Sequence, residues 1–272
     1  MSKKRPPQKR SGKAKSGSKA AKASAPAAAR IPLVDPADGV NRVLVITAHP
    51  DDVDFGAAGT VARLTRSGVE VVYCLVTDGD AGGSDLSSTA EQRAALRRAE
   101  QTAAAKEVGV TSLIFLSHLD GQVETTFELR KDLARVIRTV RPDRVICQSP
   151  EINLDRIYAS HPDHLATGRA ALFAVYPDAR NPFAYPELLS DEGLEPHSVE
   201  EVWVMAMADP TVVVDTTEVI HAKIAALSAH KSQVGDGAHL EELIVNWGRM
   251  TAKVAGLKKG RTAEAFRIVD TK

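Results

Sequence analysis

From Asn41 onward the chain alternates short apolar runs with longer amphipathic stretches. Arg42–Thr47 (RVLVIT) sets four Val, Leu and Ile residues in succession, most of them β-branched, which predicts a strand buried on both faces. Ala57–Ser67 changes to helical spacing, with Val61 and Leu64 on one side and Gly68 as its stop. The same alternation continues through strand Glu70–Thr77, helix Ala90–Val108, strand Ser112–Leu116, helix Phe127–Val140 and strand Arg144–Gln148. Beyond it the pattern loosens. Val199–Met207 and Thr211–Val214 read as strands paired in a hairpin through Asp209-Pro210, and Glu218–Lys231 and His239–Leu257 read as helices. Residues 177–198, rich in Pro, Asp and Glu, read as a long surface loop or lid.

Strands separated by helices predict an α/β fold class: a Rossmann-like, mostly parallel sheet with helices on both faces, plus a smaller C-terminal α/β portion. In such sheets the working groups gather in loops beyond the carboxyl ends of the strands. His49–Asp54, Asp78–Gly83, Leu119–Gly121 and Tyr158–His164 follow the first four strands in turn, so all four polar loops fall on one edge.

Charge divides the chain. Ten of its 35 Lys/Arg residues lie in residues 1–30, where no Asp or Glu occurs, so residues 31–272 carry 25 basic against 35 acidic groups. The Lys-, Ala-, Ser- and Pro-rich leader buries too little apolar surface to fold alone. The expected organisation is therefore a disordered basic tail, 1–38, and a single domain, 39–272. A solvated leader is the plain reading of residues 1–30; the sharper one is an arm making weak, non-specific contact with anions or nucleic acid. Cys74 and Cys147 lie within apolar runs, as small buried hydrophobes do. No apolar stretch approaches the roughly 18 residues of a membrane span, and residues 1–30 hold no apolar signal-peptide core. The expectation is a cytoplasmic protein; homo-oligomer formation is left open.

Chemistry concentrates in two turns: Ala48-His49-Pro50-Asp51-Asp52-Val53-Asp54 and Tyr158-Ala159-Ser160-His161-Pro162-Asp163-His164. They offer His49, Asp51, Asp52, His161, Asp163 and His164 as ligands or proton carriers. Two histidines and one carboxylate, with a fourth position for water, recur in catalytic zinc sites. The residual positive charge lets water ionise near neutral pH, and Fe2+ suits the same donors. A lone His-Pro-Asp is commonly a turn or helix cap, whereas two on one edge argue for a shared site. Adjacent Asp51 and Asp52 repel each other, an objection that a cation removes. Spacing does not assign which carboxylate binds metal or which histidine stays free. Arg97 and Glu100, one helical turn apart, read as a surface ion pair, and His230 as a group facing a helix dipole as readily as a functional one. His118, His197, His221 and His239 have no ligand-like neighbours in sequence.

The two turns resemble the hallmarks of the LmbE/PIG-L-like zinc-dependent N-acetylglucosaminyl deacetylase family: an A-H-P-D-D turn after the first strand, and H-P-D-H opening a helix. Lesser likenesses are Thr77-Asp78-Gly79, Arg97-x-x-Glu100, Asp120-Gly121, Arg141-Pro142-Asp143, Ala229-His230-Lys231-Ser232-Gln233 and Glu264-Ala265-Phe266-Arg267. The resemblance spans roughly residues 40–270 and implies a Zn2+ hydrolase that removes an N-acetyl group from a GlcNAc-like sugar conjugate or another small N-acyl substrate. It implies His49, Asp52 and His164 as metal ligands and Asp51 as general base. His161 would polarise the carbonyl, with Asp163 orienting the His161 ring. Asp51 or His161 would protonate the leaving amine. Arg97, Asp120 and Tyr158 are weak substrate-contact candidates. Two departures stand out: Val53 occupies the place of the usual Glu, with Asp54 next to it, and Tyr158 precedes the first His of HPDH by three residues rather than two. Competing readings are an amidase acting on a thiol or antibiotic-precursor conjugate with the same metal centre, and a non-catalytic α/β module with a nucleic-acid-binding tail.

Overall fold

Alternate residues of strand β1 (Arg42–Thr47) enter two different cores, because successive side chains of a strand point to opposite faces. Val43 and Val45 pack on one side with helices α2 (Ala58–Arg66) and α3 (Ala90–Glu107), while Leu44 and Ile46 pack on the other with α4 (Phe127–Val140) and α5 (Pro162–Phe173). Strand β2 (Glu70–Thr77) divides likewise, Tyr73 and Leu75 against Val72 and Cys74. The continuous apolar runs of the sequence are thus strands covered on both faces. The computed structural model describes residues 1, 30–155, 157–235 and 237–272; of the tail expected over residues 1–38, residues 2–29 lie outside the described residues.

The remaining strands are β3 (Ser112–His118), β4 (Arg144–Cys147), β5 (Glu201–Met205), β6 (Val212–Asp215) and β7 (Ala263–Asp270). One sheet contains all seven in the order β3-β2-β1-β4-β5-β7-β6. Neighbours from β3 to β5 are parallel, and β7 runs antiparallel to both β5 and β6. The fold class expected from the sequence is therefore found, with its C-terminal portion continuing the same sheet. The chain leaves β1 for β2 and β3 on one side and returns to β4 on the other. The carboxyl ends of β1 and β4 therefore flank the switch point where ligands gather in open α/β sheets.

Three expectations change. The hairpin expected between β5 and β6 does not form, because β7 lies between them and pairs Phe266 with both Met205 and Val212. Residues 177–198 are no open lid: Ala179 and Leu188, the latter in α6 (Pro186–Ser190), are fully buried. The buried Arg138 guanidinium donates to the carbonyls of Asp178, Ala179, Asn181 and Ala184, satisfying backbone that a free loop would give to water. The domain also begins before residue 39. Val34 N–H donates to Val213 O and Val213 N–H to Pro32 O, Ile31 packs against the cluster of Val213, Ala252, Ala255 and Ala263, and Arg144 donates to Pro36 O.

Two close approaches set the edge where the polar loops meet. A Cβ on Gly168 would stand 2.3 Å from Gln148 O, so the glycine lets α5 lie against the end of β4. The Gln148 side chain in turn accepts from Ala48 N–H at 2.9 Å, tying that end to β1. From β7, Glu264 reaches the start of α2, accepting from Gly59 N–H, Thr60 N–H and Thr60 Oγ1. Lys223 of α7 (Ile220–Ala229) donates to Glu264 at 2.6 Å and to Phe55 O at 2.7 Å. Both side chains of this pair are 6% exposed, so removing one leaves its partner charged and buried. Glu264→Ala is expected to cost about 3–5 kcal/mol in denaturant unfolding; a loss under about 1 kcal/mol, typical of an exposed pair, would contradict this account.

Candidate metal centre

Both His-Pro-Asp turns start helices, but in different registers. In the first, Asp51 is the residue before α1 (Asp52–Gly56) and takes a left-handed backbone, φ 88°. In the second, His161 holds that place before α5, with Pro162 at the first helical position, where its missing N–H is no loss. His161 Nδ1 accepts from Asp163 N–H at 3.2 Å, which leaves the ring proton on Nε2. His49, 8% exposed, sits at the end of β1, and His164 lies in the first turn of α5.

These placements bring three donors together. His49 Nδ1 lies 3.2 Å from His164 Nε2, and Asp52 approaches both, at 2.9 Å from His164 Nε2 and 3.2 Å from His49 Nδ1. On the far edge of the same ring, His49 Nε2 meets Asp163 Oδ2 at 3.1 Å and Asp120 Oδ1 at 3.0 Å. Burial opposes charge on His49, but Asp120, Asp163 and Asp52 outweigh it and hold its proton up to about 12. Burial also disfavours charge on Asp52, yet His164 and His49 keep its carboxyl far below the ordinary carboxylate range. Such an excess of carboxylate around one imidazole is what a divalent cation neutralises. With Nε2–H fixed by Asp163 and Asp120, Nδ1 is the ring nitrogen turned toward His164 and Asp52, and a cation bound there would take the place of its proton. The donor set therefore fits a metal ion. A ring nitrogen of His161 also lies within 4.8 Å of those of His49 and His164.

Asp51 stands beside this set without joining it. Burial, then the neighbouring Asp52 charge, lifts its carboxyl to about 7 against the pull of Arg97. Arg97 Nη2 donates to Asp51 Oδ2 at 3.0 Å and to Pro50 O at 2.6 Å, while Nη1 donates to Gly79 O at 3.1 Å. A cavity of about 340 Å3 opens on the cluster, lined by His49, Asp51, Asp52, Asp120, His161 and His164 together with Ala81, Gly82, Arg97, Gly121 and Gln233. His161 lies exposed at this cavity. Burial first, then the charges of His49 and His164, lower its pKa and favour the neutral ring.

Several roles differ from the sequence expectation. The Asp163 carboxylate orients His49, not His161, and is itself fixed by Gly121 N–H and Val123 N–H. Asp120 is the second brace of His49, and its other oxygen accepts from Ala81 N–H. Arg97 and Glu100 are not a surface pair: Arg97 is 5% exposed and holds Asp51, while Glu100 accepts from Ser232 N–H and Oγ. Tyr158 is 94% exposed and does not line the cavity.

The Val53-Asp54 pair also finds its place. Val53 is fully buried in the core, and Asp54 Oδ2 accepts from His230 Nε2 at 2.8 Å, with both side chains at 0% exposure. Gln101 Nε2 donates to the same Asp54 oxygen at 2.9 Å, and Gln101 Oε1 accepts from Asp51 N–H at 2.8 Å. A buried relay thus runs from His230 through Asp54 and Gln101 to the strained backbone of Asp51. Sequence reasoning missed Gln101, since a glutamine in a helix carries no motif; its spacing of one turn from Arg97 is the signal that could have placed it on the same face. Gln233 was named only as part of the lesser Ala229–Gln233 likeness, with no role.

Comparison with known proteins follows the same residues. The chain matches PIG-L, the GlcNAc-PI de-N-acetylase family, over residues 44–175. It is 32% identical to the diacetylchitobiose deacetylase of Thermococcus kodakarensis over 241 residues, covering 86% of this chain and 85% of that protein. It is 30% identical to the probable N-acetyl-alpha-D-glucosaminyl L-malate deacetylase 2 of Bacillus anthracis, covering 70% of this chain and 80% of that one. Among solved structures, N,N'-diacetylchitobiose deacetylase from Pyrococcus horikoshii, complexed with its inhibitor MPG, superposes with a TM-score of 0.79 at 32% identity, covering 87% of this chain and 86% of that one. With its paired histidine turns meeting at the switch point of a shared fold, the chain belongs to the PIG-L family.

Proposed function

We propose that this protein is a metal-dependent hydrolase that removes the N-acetyl group from a GlcNAc-like sugar conjugate or another small N-acyl substrate. The observation that carries the reading is the convergence of His49 Nδ1, His164 Nε2 and the Asp52 carboxylate beside a lifted Asp51 that Arg97 holds. The deacetylase names of its relatives support the same reaction. His49, Asp52 and His164 would hold the ion, with Zn2+ the first candidate and Fe2+ compatible with the same donors. When bound, the cation supplies Lewis-acid activation of water and of the amide carbonyl.

The chain's own groups do the remaining work. Asp51 accepts a proton from the attacking water, and its lifted pKa suits a base working near neutral pH. Arg97 holds that carboxylate, and Gln101 holds its backbone, so the base is in position before substrate arrives. Neutral His161, protonated on Nε2, donates a hydrogen bond to the carbonyl oxygen as negative charge develops there. The tetrahedral intermediate then loses its C–N bond. Asp51 returns the proton it took to the departing amine, leaving acetate; His161, kept neutral, is the poorer acid. Asp163 and Asp120 hold the His49 ring throughout.

Chelation of the purified full-length protein should abolish acetate release from N-acetylated amino sugars, and added Zn2+ should restore it. Persistent turnover without metal would contradict the reading. Asp51→Asn is expected to retain metal while kcat falls by about 10²–10⁴-fold, whereas His164→Ala should lose metal in elemental analysis. Metal lost from Asp51→Asn but kept by Asp52→Asn would reverse the roles of the two aspartates.

A further inference from the structure

The cavity at the metal centre does not end at Gly82. Across that glycine lies a second, larger cavity of about 660 Å3, and the two share Gly82 and Arg97 as a common wall. A Cβ on Gly82 would stand 2.4 Å from Arg97 Nη1 and 3.4 Å from Gln233 Oε1, so the saddle between the cavities is kept low by the absence of a side chain. A molecule bound at the metal centre can extend over it.

The two cavities differ in charge. The metal-centre cavity is lined by Asp51, Asp52 and Asp120. The second is lined by Arg93, Arg97 and Lys231, with Asp85 its one carboxylate. Arg97 is matched by Asp51. The Arg93 guanidinium hydrogen-bonds to the neutral acceptors Asp80 O, Ser88 O and Ser88 Oγ, and its charge also acts on the nearby carboxylates of Asp85 and Glu91. Lys231, exposed on α8 (Lys231–Val234), has no ion-pair partner among the described residues. Asp85 is turned back on its own loop, where Ser87 N–H and Oγ donate to its Oδ1. The cavity also opens at Ser88 and Gln92, around the start of the long helix α3, whose dipole places partial positive charge there. In a domain with ten more acidic than basic groups over residues 31–272, a cavity wall that sets Arg93, Arg97 and Lys231 against the single carboxylate of Asp85 calls for an anionic ligand.

We propose that this second cavity is a subsite for an anionic group, a carboxylate or phosphate, carried by the substrate on the side away from its acetyl group, with Lys231 and Arg93 as its recognition charges. The proposal rests on the deacetylase reading, because that reading places the N-acetyl group at the metal centre and so directs the rest of the molecule over Gly82. Ser84 and Ser88 add hydroxyl groups to the wall, and half-exposed Leu96 offers an apolar surface for a sugar face. Lys231 supplies charge without structural duty, whereas Arg93 also holds the loop from Asp80 to Ser88 in place.

The test uses Zn2+-loaded, full-length protein and four probes. N-acetylglucosamine and N,N'-diacetylchitobiose are neutral; N-acetylglucosamine 1-phosphate carries phosphate and N-acetylglucosaminyl malate carries carboxylate. Calorimetric binding and kcat/KM for acetate release are both measured. At least one anionic probe should bind about tenfold or more tightly than the neutral ones, and which one separates phosphate from carboxylate. Lys231→Met should narrow that ratio to within about twofold, and Lys231→Arg should preserve it. Equal binding of all four probes, or a Lys231→Met variant that weakens neutral and anionic probes alike, would overturn the subsite. Absence of acetate release from every probe would instead refute the deacetylase reading, since the binding ratio reports on the subsite by itself.

Discussion

One imidazole placed among three carboxylates organises this protein. The His49 ring meets Asp52 on one edge and Asp163 and Asp120 on the other. A neutral ring there would leave three negative groups close together with little to separate them, and burial raises that cost. The arrangement becomes favourable when positive charge is present, either a proton on His49 or a divalent cation between His49, Asp52 and His164. Each element around the site meets this requirement: β1 delivers His49, α5 delivers Asp163 and His164, and the loop after β3 delivers Asp120. The sheet order matters for the same reason, since β1 and β4 must be neighbours for the two histidine turns to face each other.

Around this centre each group proposed to bind metal or react is held by a second group beside it. Asp163 and Asp120 fix His49, Arg97 and Gln101 fix Asp51, and a backbone N–H fixes the tautomer of His161. The buried His230–Asp54 pair stands one step farther back. By gripping Gln101 it couples the end of α7 to the left-handed turn at Asp51. Glu100, gripping Ser232, anchors the start of α8, where Gln233 and Lys231 look onto the two adjoining cavities. The sequence elements that seemed minor, Arg97-x-x-Glu100 and Ala229-His230-Lys231-Ser232-Gln233, are thus two halves of one support.

The sequence disclosed the frame of this site better than its wiring. Strands β1 to β4 announce themselves because burial on both faces demands unbroken apolar runs, and the His-Pro-Asp turns stand out against them. Strand β7 did not, since Glu264 and Arg267 interrupt its apolar residues: Glu264 turns inward to cap α2, and Arg267 pairs with Asp209. The roles of Asp163 and Asp120 were unreadable for a different reason. Which carboxylate meets which ring nitrogen depends on how β3 and β4 are placed across the sheet, and spacing along the chain carries no such information. Arg97 misled because its i, i+3 neighbour Glu100 offers a local partner, while tertiary contacts gave each of these buried residues a partner elsewhere.

The central claim is that His49 Nδ1, Asp52 and His164 Nε2 form the metal-binding face, with Asp51 left free beside it. Anomalous diffraction from crystals of the Zn2+-loaded protein tests it most directly. The account predicts a single strong peak at about 2.0–2.2 Å from those three donors, with Asp163 and Asp120 still on the opposite edge of His49. A peak ligated by Asp51 in place of Asp52, or one on the Asp120–Asp163 side of the ring, would contradict it.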